Sequence, residues 1–280
     1  MTPVLGNGWL TMIQSDASVT LMPGDITHDY FLGQKLHLAQ PASGYRAGID
    51  AVLLAASVVP PADGSDLRVL DVGAGVGAAG LCLAARLPSA TVVLYERAPE
   101  LVALAQSNIA SNAFAERVVA VEGDVAITGD RLAALGLEPQ SFDWVIANPP
   151  FHDSSAGTQA PDPLKAGSHA MELEQLDTWL RFMARMVRAG GRASIIYKAN
   201  GLTRLLQGFD GRFGGVSVLP IVPRRGAPAI RVLIEGVKGS RAPLTLKSNL
   251  VLHGHGQGFL PQIETILRDG GGLDQAIVKA

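Results

Sequence analysis

Residues 67–80 read LRVLDVGAGVGAAG, and this stretch decides the fold class. Its first six residues are mostly apolar, as in a strand that is buried on both faces. Gly73, Gly75 and Gly77 follow at once, and an apolar helical pattern then continues until Pro88 ends it. A buried strand that passes through a glycine-rich turn into a helix is typical of an α/β sheet.

The rest of the chain repeats this alternation of apolar strands and helices. Further strands are predicted at 91–96, 117–124, 142–147, 192–198, 216–223 and 229–238, and helices at 50–59, 99–112, 172–189 and 201–209. Residues 31–38 predict a short strand or hairpin before the first helix. The alternation predicts a doubly wound α/β fold with a mostly parallel, Rossmann-like sheet.

Composition excludes several classes of protein. The chain has 280 residues, of which 48% are hydrophobic, so it can bury a large core and is not disordered. Its single cysteine, Cys82, excludes a disulfide within the chain and suits the cytoplasm, where we expect the protein. We find neither a signal peptide nor a long uncharged apolar run, and we therefore expect no membrane partner.

The charges are distributed unevenly along the chain. The net charge is only −2, but residues 1–180 hold 8 Lys/Arg and 20 Asp/Glu, whereas residues 181–280 hold 15 Lys/Arg and 5 Asp/Glu. Such asymmetry suggests an anionic partner, for example a nucleic acid, for the basic part. The alternative is that these charges are scattered over the surface without a function.

The glycine turn is a candidate cofactor site. Gly75, Gly77 and Gly80 match the G-x-G-x-x-G pattern of dinucleotide-binding proteins, and Glu96 follows at the end of the next strand. Asp71, however, ends the first strand, and its charge would repel a pyrophosphate. S-adenosylmethionine carries an ammonium and a sulfonium group, which favour a nearby acid. Asp124, after the third strand, is a candidate acceptor for the adenine amino group, and Glu96 for the ribose hydroxyls.

These motifs, in this order over residues 67–235, resemble the class I methyltransferase family. The resemblance implies a sheet of about seven strands whose last strand is antiparallel. It also implies S-adenosylmethionine as the methyl donor, S-adenosylhomocysteine as the product, and donor binding by Asp71, Gly73, Gly75, Gly77, Glu96 and Asp124. An NAD(P)-dependent oxidoreductase is the alternative from another class of enzyme, and a donor-binding protein without catalysis is a third.

The segment Asn148-Pro149-Pro150-Phe151 follows the fourth strand. It resembles the N-P-P-[FY] motif of amino-methyltransferases. The resemblance implies that the Asn148 side chain and the Pro149 carbonyl accept the two N–H groups of a planar amine, with Asn148 also beside the donor. Phe151 would stack on the substrate. This chemistry requires no metal, and the alternative is a stiff turn without a function.

The motif alone allows adenine N6, guanine N2, cytosine N4 or a protein glutamine. NPPFH, residues 148–152, also resembles the ribosomal guanine-N2 enzymes. Residues 31–56, 73–88 and 231–253 resemble the tRNA adenine-N6-methyltransferase family that acts next to the anticodon of valine tRNA. This resemblance implies an RNA partner and places Tyr45 and Arg46 over the methionine end of the donor.

The same resemblance suggests three parts of the chain. They are an N-terminal extension (1–62), the methyltransferase domain (63–240) and a C-terminal tail that packs on it (241–280). Arg224 and Arg225 either bind phosphates or form a solvated turn. Residues 165–169 lie in a loop long enough to act as a lid. His253 and His255 have no further ligand at metal-binding spacing, so we expect no metal site.

Overall fold

The structure of the chain is a computed structural model, and it describes residues 26–43, 46–127, 129–150 and 176–274. The strands are β1 (Ile26–Phe31), β2 (Leu36–Pro41), β3 (Leu67–Val72), β4 (Ala90–Glu96), β5 (Val118–Glu122), β6 (Phe142–Ala147), β7 (Val187–Lys198), β8 (Phe213–Arg224), β9 (Arg231–Lys238), β10 (Thr245–Leu246) and β11 (Leu250–His253). The helices are α1 (Ile49–Ser57), α2 (Ala78–Arg86), α3 (Pro99–Ser111), α4 (Asp130–Ala134), α5 (residues 176–186), α6 (Leu202–Phe209) and α7 (Pro261–Glu264), with a 3-10 turn at Ala199–Gly201 and a π-helical turn at Thr265–Asp269.

The central sheet has the strand order β10-β8-β9-β7-β6-β3-β4-β5, and β11 pairs with β8 beside β10. Strands β3 to β7 are parallel to one another, whereas β9 runs antiparallel to both β7 and β8. The predicted seven-stranded, mostly parallel sheet with an antiparallel last strand is therefore confirmed. The C-terminal segment extends this sheet through β10 and β11, which the sequence did not predict.

Helices cover both faces of the sheet, as the apolar strands require. In β3, Val69 belongs to a core cluster with α1, α2 and α3, whereas Leu70 and Val72 belong to a second cluster with α5 and α6. Cys82 is buried in the first cluster, as expected. Since successive side chains of a strand point to opposite faces, each central strand contributes to both layers.

The boundary between α5 and β7 differs from the prediction. A helix over 172–189 and a strand from 192 were expected, but the helix ends at residue 186 and the strand begins at Val187. Phe142 of β6 pairs with Val187, and the register then shifts before Trp144 pairs with Arg192. Gly190 has a φ of 74°, and a side chain at Gly191 would press on the Asp143 carbonyl. The two glycines therefore form an irregularity inside the strand instead of ending the helix.

Before the first helix, β1 and β2 form an antiparallel hairpin, which confirms that expectation. Within the described ranges, no helix is both long and apolar enough to span a lipid bilayer.

Candidate active site

The candidate site lies where the parallel strands end. Strands β3, β4, β5 and β6 are neighbours in the order β6-β3-β4-β5 and point the same way. The residues that follow them therefore meet at one edge of the sheet, which we call the carboxyl edge. The crevice outside this edge is where open α/β sheets bind ligands.

The glycine loop turns away from β3 in a geometry that side chains would oppose. Gly73, Gly75 and Gly77 have φ values of 64°, 57° and 88°. The N–H groups of Gly73 and Ala74 both donate to the Tyr95 carbonyl of β4, at 2.7 and 3.1 Å. A Cβ atom at Gly75 would have no neighbour within 4 Å. The loop backbone at Gly75 therefore faces open space, as a cradle for a ligand requires.

Asp71 lies beneath this loop and is only 2% exposed. Its Oδ2 atom accepts a hydrogen bond from the N–H of Gly80 in α2, at 2.8 Å. Burial raises the pKa of Asp71 to about 7; the Gly80 N–H opposes this shift and the nearby Glu96 charge adds to it. Two acids so close to the loop produce a negative potential, which suits a cationic ligand better than a phosphate.

Glu96 ends β4 and joins the glycine loop to the start of α3. One carboxylate oxygen accepts the N–H of Gly75 at 2.9 Å, and the other accepts those of Arg97 and Ala98 at 2.9 and 3.0 Å. A carboxylate offers about four acceptor positions, and three of them are used here. Two ribose hydroxyls would therefore have to replace at least one of these bonds.

Asp124 follows β5 at the same edge. Its backbone carbonyl accepts the Tyr95 hydroxyl, and its Oδ1 atom accepts the N–H of Ala126, both at 2.8 Å. Its side chain remains 43% exposed, with Arg97 at 4.0 Å. Asp124 is thus held in place by the backbone and still accessible to a ligand.

Asn148 and Pro149 follow β6, whose neighbour in the sheet is β3. The Oδ1 atom of Asn148 is buried, and so is Pro149. The structure thus brings the start of the NPPF motif beside the glycine loop, as predicted. Two predicted site residues, Tyr45 and Phe151, lie outside the described residues, and so does the loop at 165–169.

Arg46 was expected over the methionine end of the donor. In the structure its guanidinium binds Asp29 of β1 at 2.6 Å. Asp29 also accepts from Gln40, whose own oxygen accepts the N–H of Ala47 at 2.8 Å. Arg46 therefore fastens the hairpin to the segment that leads into α1.

Sequence reasoning missed two residues that touch the glycine loop. The half-buried Trp179 of α5 lies so close to Gly73 that a methyl group there would collide with its ring. Asn108 of α3 donates to the Val76 carbonyl at 3.0 Å and forms two further bonds with the backbone of Ala39. Asn112, one helical turn later, likewise forms two hydrogen bonds with the backbone of His37. The spacing of these two asparagines was the only available signal in the sequence.

Part of the basic charge of residues 181–280 is neutralised within the chain. In the part of the chain that the structure describes, six of their arginines form the ion pairs given next, four of them with acids that precede residue 181. The pairs are Arg181–Asp177, Arg212–Asp177, Arg188–Asp143, Arg231–Asp50, Arg192–Glu235 and Arg268–Glu264. Ion pairs between the two segments therefore account for part of the charge asymmetry along the sequence.

A group of cations lies at the carboxyl edge. Because β8 runs parallel to β7, its end lies at the same edge as those of β6 and β7. We call residues 198–205, 222–231 and 253–258 the cationic rim. These segments contain four arginines, one lysine, two histidines and neither Asp nor Glu. The rim begins at Lys198 of β7, the strand next to β6.

Arg224 has a structural role within this rim, which the sequence did not predict. It donates to the carbonyls of Gly254 and Gly256 and so holds the loop after β11. Arg225 is exposed. In that loop His253 stacks on Phe259, with ring centres 4.6 Å apart. Among the described residues, no group of three or more His, Cys, Asp or Glu side chains could hold a metal ion.

Comparisons with known proteins agree with this geometry. Residues 50–164 match the family model described as "Methyltransferase small domain". A tRNA1(Val) (adenine(37)-N6)-methyltransferase from Porphyromonas gingivalis is 32% identical over 176 residues, which are 62% of this chain and 66% of that protein. A ribosomal RNA small subunit methyltransferase C from Cronobacter sakazakii is 27% identical over 76% of this chain and 49% of its own length.

A crystal structure described as a predicted O-methyltransferase from Agrobacterium tumefaciens shares the fold with a TM-score of 0.66. It is 32% identical, and the match covers 80% of this chain and 97% of that one. The family match also decides against a dinucleotide-dependent oxidoreductase. The chain therefore belongs to the class I S-adenosylmethionine-dependent methyltransferases.

Proposed function

We propose that this protein transfers a methyl group from S-adenosylmethionine to an exocyclic amine of a base in RNA, with adenine N6 in a tRNA, near the anticodon, as the foremost candidate. The observation that carries the proposal is the position of Asn148. It follows β6, directly beside β3 and the glycine loop. An acceptor for an amine and a cradle for a methyl donor thus share one crevice. Acting on tRNA, the enzyme would work in the cytoplasm.

The described residues fit the methyl donor, which supplies an electrophilic methyl group when bound. Gly73, Gly75 and Gly77 would let its methionine part approach the backbone closely. Glu96 would accept the ribose hydroxyls, and Asp124 the adenine amino group. Asp71 is buried, so we assign it an electrostatic role: its charge would favour a cation above the loop.

The chain's residues would act on the amine mainly by orienting it. The lone pair of an exocyclic base amine is delocalised into the ring, which makes the nitrogen a poor nucleophile. Asn148 Oδ1 and the Pro149 carbonyl would accept its two N–H groups and direct the lone pair towards the donor. These bonds strengthen as positive charge develops on nitrogen, so they stabilise the transition state more than the ground state.

The cationic rim supports an RNA substrate. It lies at the same edge as Asn148, on the side away from the acids of the donor site. Phosphates that follow a target base could pass along it, since Lys and Arg dominate the contacts of proteins with a nucleic acid backbone. The named relatives include a tRNA and an rRNA methyltransferase.

The choice of base rests on the relatives and on the motif together. The P. gingivalis relative is named for adenine N6 in tRNA, and the C. sakazakii relative for small-subunit rRNA. Guanine N2 in rRNA is therefore the second candidate, and a protein glutamine the third. A glutamine side chain carries no phosphate, so it would leave the cationic rim without a partner.

The proposal is tested by methylating RNA from a strain that lacks the gene. The purified protein and labelled S-adenosylmethionine are added to total RNA, rRNA and a protein extract, and nucleosides and peptides are analysed by mass spectrometry. N6-methyladenosine in the tRNA fraction is the expected product. N2-methylguanosine or methylglutamine would contradict the adenine assignment, and no transfer to RNA would contradict an RNA substrate.

A further inference from the structure

The β1–β2 hairpin presents an unusual face to solvent. Directly opposite residues of the two strands share a face, and the solvent face holds three such pairs: Ile26–Pro41, His28–Ala39 and Tyr30–His37. On the other face Leu36 and Leu38 are fully buried. The solvent face of a hairpin is usually polar. Here it carries neither Asp, Glu, Lys nor Arg.

Three rings form a row on this face. The rings of Tyr30 and His37 are 4.9 Å apart, and those of His28 and His37 are 5.0 Å apart with 18° between their planes. Tyr30 is 64% exposed and His28 is exposed as well. An exposed group of flat, stacked rings indicates a partner that also presents flat faces.

The hairpin is fixed to both sides of the candidate site. Asn108 bonds Ala39 of β2 and the Val76 carbonyl of the glycine loop. On the other side, the Asp29–Arg46 pair connects β1 to the start of α1, where Asp50 binds Arg231 of the cationic rim at 2.8 Å. The aromatic face is therefore joined to the donor cradle at Ala39. Its other end, with His37 opposite Tyr30, lies one helical turn further along α3, where Asn112 bonds the backbone of His37.

We propose that this aromatic face stacks unpaired bases of the substrate RNA while the target base occupies the site. The inference rests on the proposed function and adds a second contact surface to it. Base stacking on aromatic side chains is tolerant of sequence and requires single-stranded bases, because paired bases in a helix hide their faces. A loop of a tRNA that passes its phosphates along the rim would present such bases.

Tyr30→Ala tests this surface, with Tyr30→Phe as the matched control. Binding of a labelled single-stranded RNA and of its duplex is measured by fluorescence anisotropy. Tyr30→Ala should weaken single-strand binding by at least about fivefold, the lower end for one stacked base. Tyr30→Phe should bind as the parent does, since it keeps the ring. Duplex binding should change little in either variant.

Two further measurements separate this inference from the proposed function. Tyr30→Ala should raise KM for RNA, while kcat and the affinity for S-adenosylhomocysteine, measured by calorimetry, stay at the parent's values. Leu246→Ala, at another exposed apolar residue on β10, should change nothing. If the parent methylates RNA and Tyr30→Ala binds it equally well, the stacking surface is refuted and the proposed function stands. Equal losses in Tyr30→Ala and Tyr30→Phe would refute stacking, and a parent that neither binds nor methylates RNA would overturn both proposals.

Discussion

The two halves of the carboxyl edge differ in the sign of their charge. The half formed by β3, β4 and β5 carries Asp71, Glu96 and Asp124, whereas the half formed by β7, β8 and β9 carries the cationic rim. Asn148, a neutral amide, stands at the end of β6 between them. A cationic donor would be attracted to the acidic half and an anionic RNA to the basic half. The same sheet edge could therefore bind both substrates side by side.

The comparison also shows that some of the basic residues counted in the sequence form ion pairs inside the fold. Arg188 and Arg212 are basic residues of the C-terminal part, yet each pairs with an acid of the N-terminal part. Such pairs hold the fold together and leave little field outside it. The rim segments hold five Lys/Arg and no acid of their own, so their effect on RNA binding is the part of the charge asymmetry that an experiment can test.

The largest expected effect comes from the neutral residue between the halves. Asn148→Ala removes one acceptor that binds the amine more strongly as charge develops, so turnover should fall by about 10² to 10³. The affinity for S-adenosylhomocysteine should change little, because the glycine loop and Glu96 would remain. Single-turnover methylation of RNA measures the first quantity and calorimetry the second. If the variant methylates at the parent's rate, Asn148-Pro149 is only a stiff turn without a role in catalysis.

The acidic half should govern donor binding alone. Glu96→Ala removes the acceptor proposed for the ribose hydroxyls and should weaken S-adenosylmethionine binding by about 1–3 kcal/mol. RNA affinity should stay the same. Glu116→Ala is the matched control, because this exposed acid lies before β5, at the opposite edge of the sheet. Unchanged donor affinity in Glu96→Ala would remove Glu96 from the site.

Asp71 should make donor binding depend on pH. Its pKa is raised to about 7 by burial and by Glu96, so in the empty protein the carboxyl holds a proton below that pH. A cationic donor favours the ionised form, and binding at lower pH must release the proton. Affinity should therefore rise by up to about tenfold per pH unit below pH 7 and level off above it. Calorimetry between pH 5.5 and 8.5, roughly spanning this pKa, measures the profile.

Asp71→Asn is the control for this profile, since it keeps an acceptor for the Gly80 N–H and does not titrate. Its affinity should be independent of pH over the same range.

The pH dependence of stability gives a second check on Asp71. The folded pKa lies above the ordinary value of 3.8, so the folded state binds more protons between these two values. The free energy of unfolding of the empty protein should therefore fall as pH rises through this window. If the free energy of unfolding rose with pH instead, Asp71 would not be protonated in the folded protein.

The smallest effect is expected from one charge of the basic half. Arg225→Glu should weaken RNA binding by about two- to fivefold and lower the slope of log K against log salt by roughly one. Arg225 is chosen because Arg224 also holds the loop at Gly254. Arg241→Glu is the matched control, since it follows β9 and lies at the opposite edge. Equal effects of the two variants would show that the rim has no special role.

The sequence indicated where the glycines, Asp71 and Glu96 lie far better than it indicated what surrounds them. These residues lie within 30 positions of one another, and each stands at the end of a strand that its own apolar pattern reveals. The contacts of Asn108 with Ala39 cross 69 residues, and Trp179 reaches Gly73 across more than 100. Local spacing places Asn108 and Asn112 on one face of a helix, but it reveals neither the partner of Asn108 nor that of Trp179.

The sequence by itself determined the class of the fold and the order of the strands along the chain, because hydrophobic periodicity and glycine turns act over a few residues. It also determined which residues follow β3, β4, β5 and β6, and hence the chemistry at the carboxyl edge. Only the tertiary structure decided which arginines are neutralised by distant acids, where β7 begins, and that the hairpin turns its aromatic face outward. These features depend on contacts between residues far apart in the chain. Such contacts contribute to stability only when the folded chain has brought the residues together.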